Sequence, residues 1–360
     1  GRLYHLPGKD YTLVDYNRAG LPLMELVTKP DLENSSDVLK FASELRLLMR
    51  YLGASDADME KGQMRVEVNI SLRPEGTETL GTKVEVKNIN SISAAGKAVE
   101  YEIVRQTEAL EAGEKIIQET RGWDDIHNKT VSQRTKEGSA DYRYFPEPDL
   151  PPMKFQDSAI EEIRAALPEL PSQRRERFAH EYSLPEKDIE TLTTNRQLGD
   201  YFEKAVSEAL AEEKLSDEDQ KRLIKLTSNY IITEYQRRLT ELSANPFDTK
   251  VDPEMFGEFI MAVFKGAVSS SAAQTLLNEM LQTGLHADHL IHEKDLGQVS
   301  DTDELNKIIE QVIAENEKAA EDFKKGKEAS LKFLVGKVMA TSKGKANPQV
   351  VQELIKQKLS

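Results

Sequence analysis

Strand-like alternation and helical periodicity occupy separate parts of this sequence, and the change falls near Asp157. Before it, residues 64–72 alternate: Met64, Val66, Val68, Ile70 and Leu72 share one face of an extended chain, and Arg65, Glu67, Asn69 and Ser71 share the other. A turn-rich stretch, 73–81, leads to a second run, 82–87, in which Val84 and Val86 oppose Lys83, Glu85 and Lys87. The two runs predict an antiparallel hairpin with one face in the core. After Asp157, apolar residues recur at spacings of three and four. They predict helices at 159–167, 173–182, 198–211, 217–239, 253–268 and 272–282, with joints at Pro168, Pro171, Pro185 and Pro246. This segregation predicts an α+β chain: a mainly antiparallel sheet cradle over 1–157, an all-α domain over 158–293 and a small helical tail over 294–360.

Two helices are expected inside the cradle. One covers 36–52, with Val38, Phe41, Leu45, Leu48 and Leu52 at helical spacing and Gly53 as its stop; the other covers 93–112 and ends at Gly113. Residues 114–150 read as short extended pieces. The exit Phe145-Pro146-Glu147-Pro148-Asp149-Leu150-Pro151-Pro152 cannot continue a helix or a central strand. In the tail, Leu305, Ile308, Ile309, Val312 and Ile313 form one stripe, with Asp301 as cap. Leu331, Leu334, Val335 and Val338 form a second. Val350, Val351, Leu354, Ile355 and Leu359 form a third, with Asn347 as cap and Pro348 at the first helical position.

Near the start, residues 21–27 form an apolar run broken by Glu25, with Gly20 and Pro22 before it and Pro30 after it. The pattern suits a buried strand in which Glu25 shares a face with Leu23 and Val27. A carboxylate in such a strand needs a cation or hydrogen-bond donors. The same pattern equally fits a strand-end Glu that reaches water.

With no Cys in 360 residues, disulfides, Cys-zinc sites and thiol nucleophiles are excluded, and a reducing cytoplasm fits. No apolar run approaches the roughly 20 residues of a membrane helix. His286, His289 and His292 have a spacing that tempts a metal reading, but Gly284 interrupts the helix before them, and surface histidines are expected. There is no P-loop and no nucleophile elbow. The net charge is −15, yet residues 324–360 hold nine lysines against two glutamates, a balance of +7 that leaves −22 for the rest. A basic end on an acidic body points to a localised polyanion contact.

Four motifs carry a resemblance over essentially the whole chain: Asp15-x-Asn17-Arg18-x-Gly20-x-Pro22-Leu23-x-Glu25; Lys87-Asn88-Ile89-Asn90-Ser91; Gln118-Glu119-Thr120-Arg121; and Asp141-Tyr142-Arg143-Tyr144-Phe145-Pro146-Glu147-Pro148-Asp149. In this order they resemble the GatB family, the B subunits of the tRNA-dependent amidotransferase GatCAB, and the last third resembles the GatB/YqeY tail. The resemblance implies an ATP- and Mg²⁺-dependent ligase. It would phosphorylate the side-chain carboxylate of Glu-tRNA(Gln) or Asp-tRNA(Asn), and ammonia would then displace the phosphate. It also implies GatA, which cleaves glutamine, and GatC as partners.

By the same resemblance Glu25, Glu60 and Glu67 fall where the family has acidic active-site residues, and they are the expected metal ligands. Lys83 and Lys87 are added as electrostatic helpers on strand geometry. The family has further His and Glu ligands in an N-terminal part of the sheet, so the chain reads as an N-terminally truncated fragment with part of the site. Lys337, Lys343, Lys345, Lys356 and Lys358 are expected to meet the tRNA. The rival expectation is a noncatalytic, YqeY-like tRNA-binding module in which only the helical arm works.

Overall fold

The computed structural model describes residues 2–17, 19–135, 146, 150–297, 302–342, 346 and 348–359. The fold is α+β and divides into two compact units, residues 1–154 and 155–360.

In the first unit, β1 (Arg2–His5) and β2 (Thr12–Asp15) form an antiparallel ribbon. The second sheet has the order β3 (Val66–Ile70), β4 (Val84–Ile89), β5 (Glu119–Asp124), β6 (Lys129–Thr135). The expected β3–β4 hairpin is present, with Val68 opposite Val86 and Asn69 opposite Glu85. The β4–β5 pair is parallel, because helix α2 (Ile92–Glu111) makes the crossover between them; β5 and β6 are antiparallel. Val68, Val86, Ile89 and Trp123 face Ala94, Ala95, Ala98 and Val99 of α2. Helix α1 (Ser35–Tyr51), capped by the Asn34 side chain, packs on α2. Gly96 lets the helices approach closely at this contact: a Cβ there would sit 3.0 Å from the Leu39 side chain, which would have to shift.

Residues 21–27 do not form the expected strand. They have no regular structure, and Leu21, Leu23, Met24, Leu26 and Val27 are all exposed, Leu23 at 92%. An apolar run becomes a strand only where another strand satisfies its backbone groups. Among the described residues no strand pairs with it.

The second unit is helical. Its larger core gathers α4 (Pro171–Tyr182), α5 (Glu186–Thr194), α6 (Arg196–Glu212), α7 (Asp217–Tyr230), α8 (Gln236–Leu242), α9 (Pro253–Phe264), α10 (Ser270–Thr283) and α11 (Ala287–Glu293), with α3 (Asp157–Ala165) before them. The helix expected over 217–239 is instead α7 and α8 joined by a π-helical turn, Ile231–Tyr235. Tyr235 there is buried, stacks on Tyr201 and donates its hydroxyl to the Pro246 carbonyl. Sequence periodicity missed α5, α11 and the helix at Glu317–Lys324. A separate core is built by α12 (Thr302–Glu315), α13 (Glu317–Lys324), α14 (Glu328–Thr341) and α15 (Pro348–Leu359). Leu305, Ile309, Val312, Leu334, Val338, Val351 and Ile355 of the three expected stripes are buried in it. The caps Asp301 and Asn347 lie outside the described residues. Among the described residues no helix is long and apolar enough to cross a membrane.

Candidate active site on the open sheet face

One face of the four-stranded sheet packs on α2. The other bears Glu67, Asn69, Glu85, Lys87, Thr120 and Gly122, because side chains alternate and paired residues of neighbouring strands point the same way. Two irregularities shape this face. From Val66 to Val68 the partner on β4 moves from Ile89 to Val86, so β4 carries an extra residue there, next to Asn88 with φ +59. Asparagine tolerates this left-handed conformation, and its side-chain amide donates to the Trp123 carbonyl at 3.0 Å. From Thr120 to Arg121 the partner moves from Arg134 to Ser132, so β6 has the extra residue, Gln133. Gln133 lies across Gly122, where a Cβ would come within 2.2 Å of its amide nitrogen.

Between the two bulges sits Lys87. Its ammonium is 3.2 Å from Glu67 and 3.5 Å from Glu85. The Glu67 contact, with a smaller contribution from the Glu85 charge, outweighs the lowering effect of burial and raises the Lys87 pKa above its ordinary value. Glu85 is held from the other side by the Thr120 hydroxyl, which donates to it at 2.9 Å. Beside this cluster a shallow depression is lined by Asn88, Asn90, Gly122, Asp124, Val131 and Gln133.

Behind the sheet, Glu102 of α2 is wholly buried and accepts from Arg105, Gln106 and Thr130. Arg121 of β5 lies 3.2 Å from it and also pairs with Glu119. Burial pushes the Glu102 pKa up, but the bonds from Arg105, Gln106 and Thr130 outweigh it and hold the carboxyl below its usual range. The Gln118-Glu119-Thr120-Arg121 motif therefore faces both ways: Thr120 serves the open face and Arg121 the buried network. Sequence reading gave these residues no role. Glu102, in the middle of a helix, carried no local signal at all.

The structure treats the expected site residues unequally. Glu67 and Lys87 meet on the open face. Lys83 is exposed just before β4. Glu60 is exposed in a turn where its backbone N–H donates to the Asp58 carboxylate. Glu25 lies on the exposed irregular segment rather than on a strand face. Among the described residues no three His, Asp or Glu side chains gather as a metal-binding group, so Glu25, Glu60 and Glu67 are not a preassembled set. Magnesium does not demand one, since it commonly takes one or two carboxylates with waters and substrate phosphates. Glu67 fits that use: it is half-exposed, on an open face and beside a lysine.

The histidines are surface groups, as expected. His286 pairs with Glu258 at 2.7 Å, which raises its pKa, and His289 pairs with Glu293. In the tail, Lys337, Lys356 and Lys358 are exposed; Lys337 lies over the Phe333 ring, and Lys358 is paired with Glu310 at 2.5 Å. Lys343 and Lys345 lie outside the described residues, as do Arg18, Arg143 and Tyr144 of the four motifs.

Residues 1–161 match the family model of the GatB/GatE catalytic domain, and residues 200–359 match that of the GatB domain. The B subunit of the aspartyl/glutamyl-tRNA(Asn/Gln) amidotransferase of Thermoanaerobacter sp. (strain X514) is 43% identical over 360 residues, which is 100% of this chain and 73% of the relative. The protein of the same name from Dehalococcoides mccartyi (strain ATCC BAA-2266 / KCTC 15142 / 195) is 44% identical over 363 residues, covering 99% of this chain and 73% of the relative.

Proposed function

The chain belongs to the family of B subunits of the aspartyl/glutamyl-tRNA(Asn/Gln) amidotransferase, and from that membership we propose that it is the amidating subunit of a cytoplasmic complex with GatA and GatC. Its substrate is the side-chain carboxylate of Glu-tRNA(Gln), Asp-tRNA(Asn) or both. A carboxylate is a poor acyl donor, because its leaving group would be oxide. Transfer of the γ-phosphoryl group of ATP to a carboxylate oxygen breaks the bond to the bridging oxygen, releases ADP and makes the carboxylate oxygen part of a leaving phosphate. Ammonia then attacks the carbonyl carbon, and phosphate departs with its electron pair. Bound Mg²⁺ would neutralise phosphate charge, and Glu67 is the described residue best suited to hold it.

Within this reading the open sheet face binds and orients. Lys87 meets the negative charge of the phosphates, and the tail over 294–360, a domain of its own, holds the tRNA by its phosphates. The observation that carries the reading is the Glu67–Lys87 pair on the polar sheet face opposite α2, inside the matched catalytic domain. The test is amidation of misacylated tRNA by the full-length protein, alone and with GatA and GatC. With partners, glutamine should serve as the nitrogen source and ATP should be consumed. Alone, the protein should use free ammonium poorly and glutamine not at all. Glutamine-dependent amidation by this polypeptide without a partner would overturn the division of labour.

A further inference from the structure

We propose that Glu85, anchored by Thr120, is a positioning residue that fixes the Lys87 ammonium over the open sheet face for contact with phosphate. The inference rests on the role given above to Lys87. A lysine ammonium is a point charge on a flexible four-carbon stem, so its usefulness depends on what holds it. Two carboxylates hold Lys87, and they are not equivalent. Glu67 belongs to β3, at the edge of the sheet, and its side chain is 46% exposed. Glu85 lies one strand further in, and its side chain is 16% exposed. Water and salt screen the first contact more than the second.

The difference in anchoring points the same way. One Glu85 oxygen faces Lys87 at 3.5 Å, while the other accepts from Thr120 at 2.9 Å, so the carboxylate cannot swing without losing a bond. Thr120 is itself buried and sits directly across the parallel ladder from Glu85. Its branched side chain has few rotamers on a strand. The line Thr120 to Glu85 to Lys87 thus runs from the most fixed group to the most mobile one. Glu67 is the exchangeable partner: Lys87 can turn from it to an incoming phosphate while Glu85 keeps the ammonium on the face.

The test uses the full-length protein in its complex with GatA and GatC. Steady-state amidation and equilibrium binding of a non-hydrolysable ATP analogue are measured for Lys87→Ala, Glu85→Gln, Thr120→Val, Thr120→Ser and the Lys87→Ala/Thr120→Val pair. Thr120→Val keeps shape and strand preference but removes the donor; Thr120→Ser keeps the donor. Expected are losses of about tenfold in kcat/KM for Glu85→Gln and Thr120→Val, within the range of coupled neighbours, and activity within about twofold of the parent for Thr120→Ser. In the Lys87→Ala background Thr120→Val should add nothing to either readout. A loss from Thr120→Val that persists in that background, or equal losses in the Val and Ser variants, overturns the positioning role. Normal amidation and analogue binding by Lys87→Ala would instead overturn the role of Lys87 itself. If Lys87→Ala is impaired while Glu85→Gln and Thr120→Val are normal, only the positioning role falls.

Discussion

The Glu102 carboxylate, wholly buried on α2, lies 3.2 Å from the Arg121 guanidinium on β5 and locks the crossover helix to the centre of the sheet. Removing Glu102 takes a shared buried carboxylate from Arg105 and Arg121 and the acceptor from Gln106 and Thr130, while Arg121 keeps Glu119. Glu102→Ala should therefore cost roughly 3–5 kcal/mol, the usual penalty for breaking a buried ion pair. Urea unfolding followed by Trp123 fluorescence reads this directly, as Trp123 is the chain's one tryptophan and lies in the same core.

The same carboxylate gives the cradle a pH dependence. Its pKa is lowered on folding, so its stabilisation is complete above the ordinary carboxylate value of 4.5. It fades as pH falls through the lower folded value, because the unfolded chain then takes up the proton more readily. Unfolding free energy should start to drop as pH falls below about 5 and keep dropping towards the lowered folded value. In Glu102→Gln this part of the drop should be missing, which parallel urea titrations across that range will show.

Glu67→Gln, and by family resemblance Glu25→Gln, should lower ATP-dependent amidation in the complete complex by at least about tenfold, in line with loss of a charged active-site group. Binding of tRNA should stay within about twofold. Wild-type amidation rates in both variants would remove these carboxylates from the site.

Two glycines should respond differently to the same substitution. A Cβ on Gly199 would lie 2.4 Å from the Leu192 carbonyl oxygen and 3.0 Å from the buried Arg174 guanidinium. Backbone cannot step aside cheaply, so Gly199→Ala should destabilise the helical unit by about 1–3 kcal/mol. A Cβ on Gly122 meets only the far end of the Gln133 side chain, which can turn away. Gly122→Ala should unfold close to the parent in thermal melts.

For the tail, Lys337→Ala and Lys356→Ala should weaken cognate and noncognate tRNA alike, since lysines meet phosphates rather than base edges. Each phosphate that no longer meets a lysine should flatten the log–log salt slope by roughly one unit or less. Lys358, paired with Glu310, must give up that contact before it can meet a phosphate. Lys343→Ala with Lys345→Ala tests the remaining two lysines in the same filter-binding titration.

The legible parts of this chain are those whose instructions are local. Residues 64–72 announced β3 because Val66, Val68 and Ile70 alternate with Glu67 and Asn69, and burial follows that alternation. Pro348 marked the start of α15 because its fixed φ and missing N–H suit a first helical turn. Partner choice was not legible. Nothing in residues 119–124 tells that they pair in parallel with β4, some 35 residues earlier, and the Thr120–Glu85 bond depends on that pairing. Residues 21–27 misled for the converse reason: apolar character signals a strand whether or not a neighbour is present to pair with it. Lys87 and Glu67 could be placed on one face by counting, but the extra residue beside Asn88 could not.

The wide turn at Ile231–Tyr235 makes one place in a long helix where chain length can change. Adding or removing a residue in a regular helix rotates everything beyond it by about 100°. That would carry Leu239 out of the core if it happened within α7. A π turn already accommodates a surplus residue locally, through bonds that reach one residue further. Shortening the chain by one here would let α7 and α8 run on as a single regular helix with both buried stripes still in phase. What would be given up is the reach of Tyr235 to the Pro246 carbonyl, so a deletion at this point should loosen the loop before α9 while sparing the helix itself.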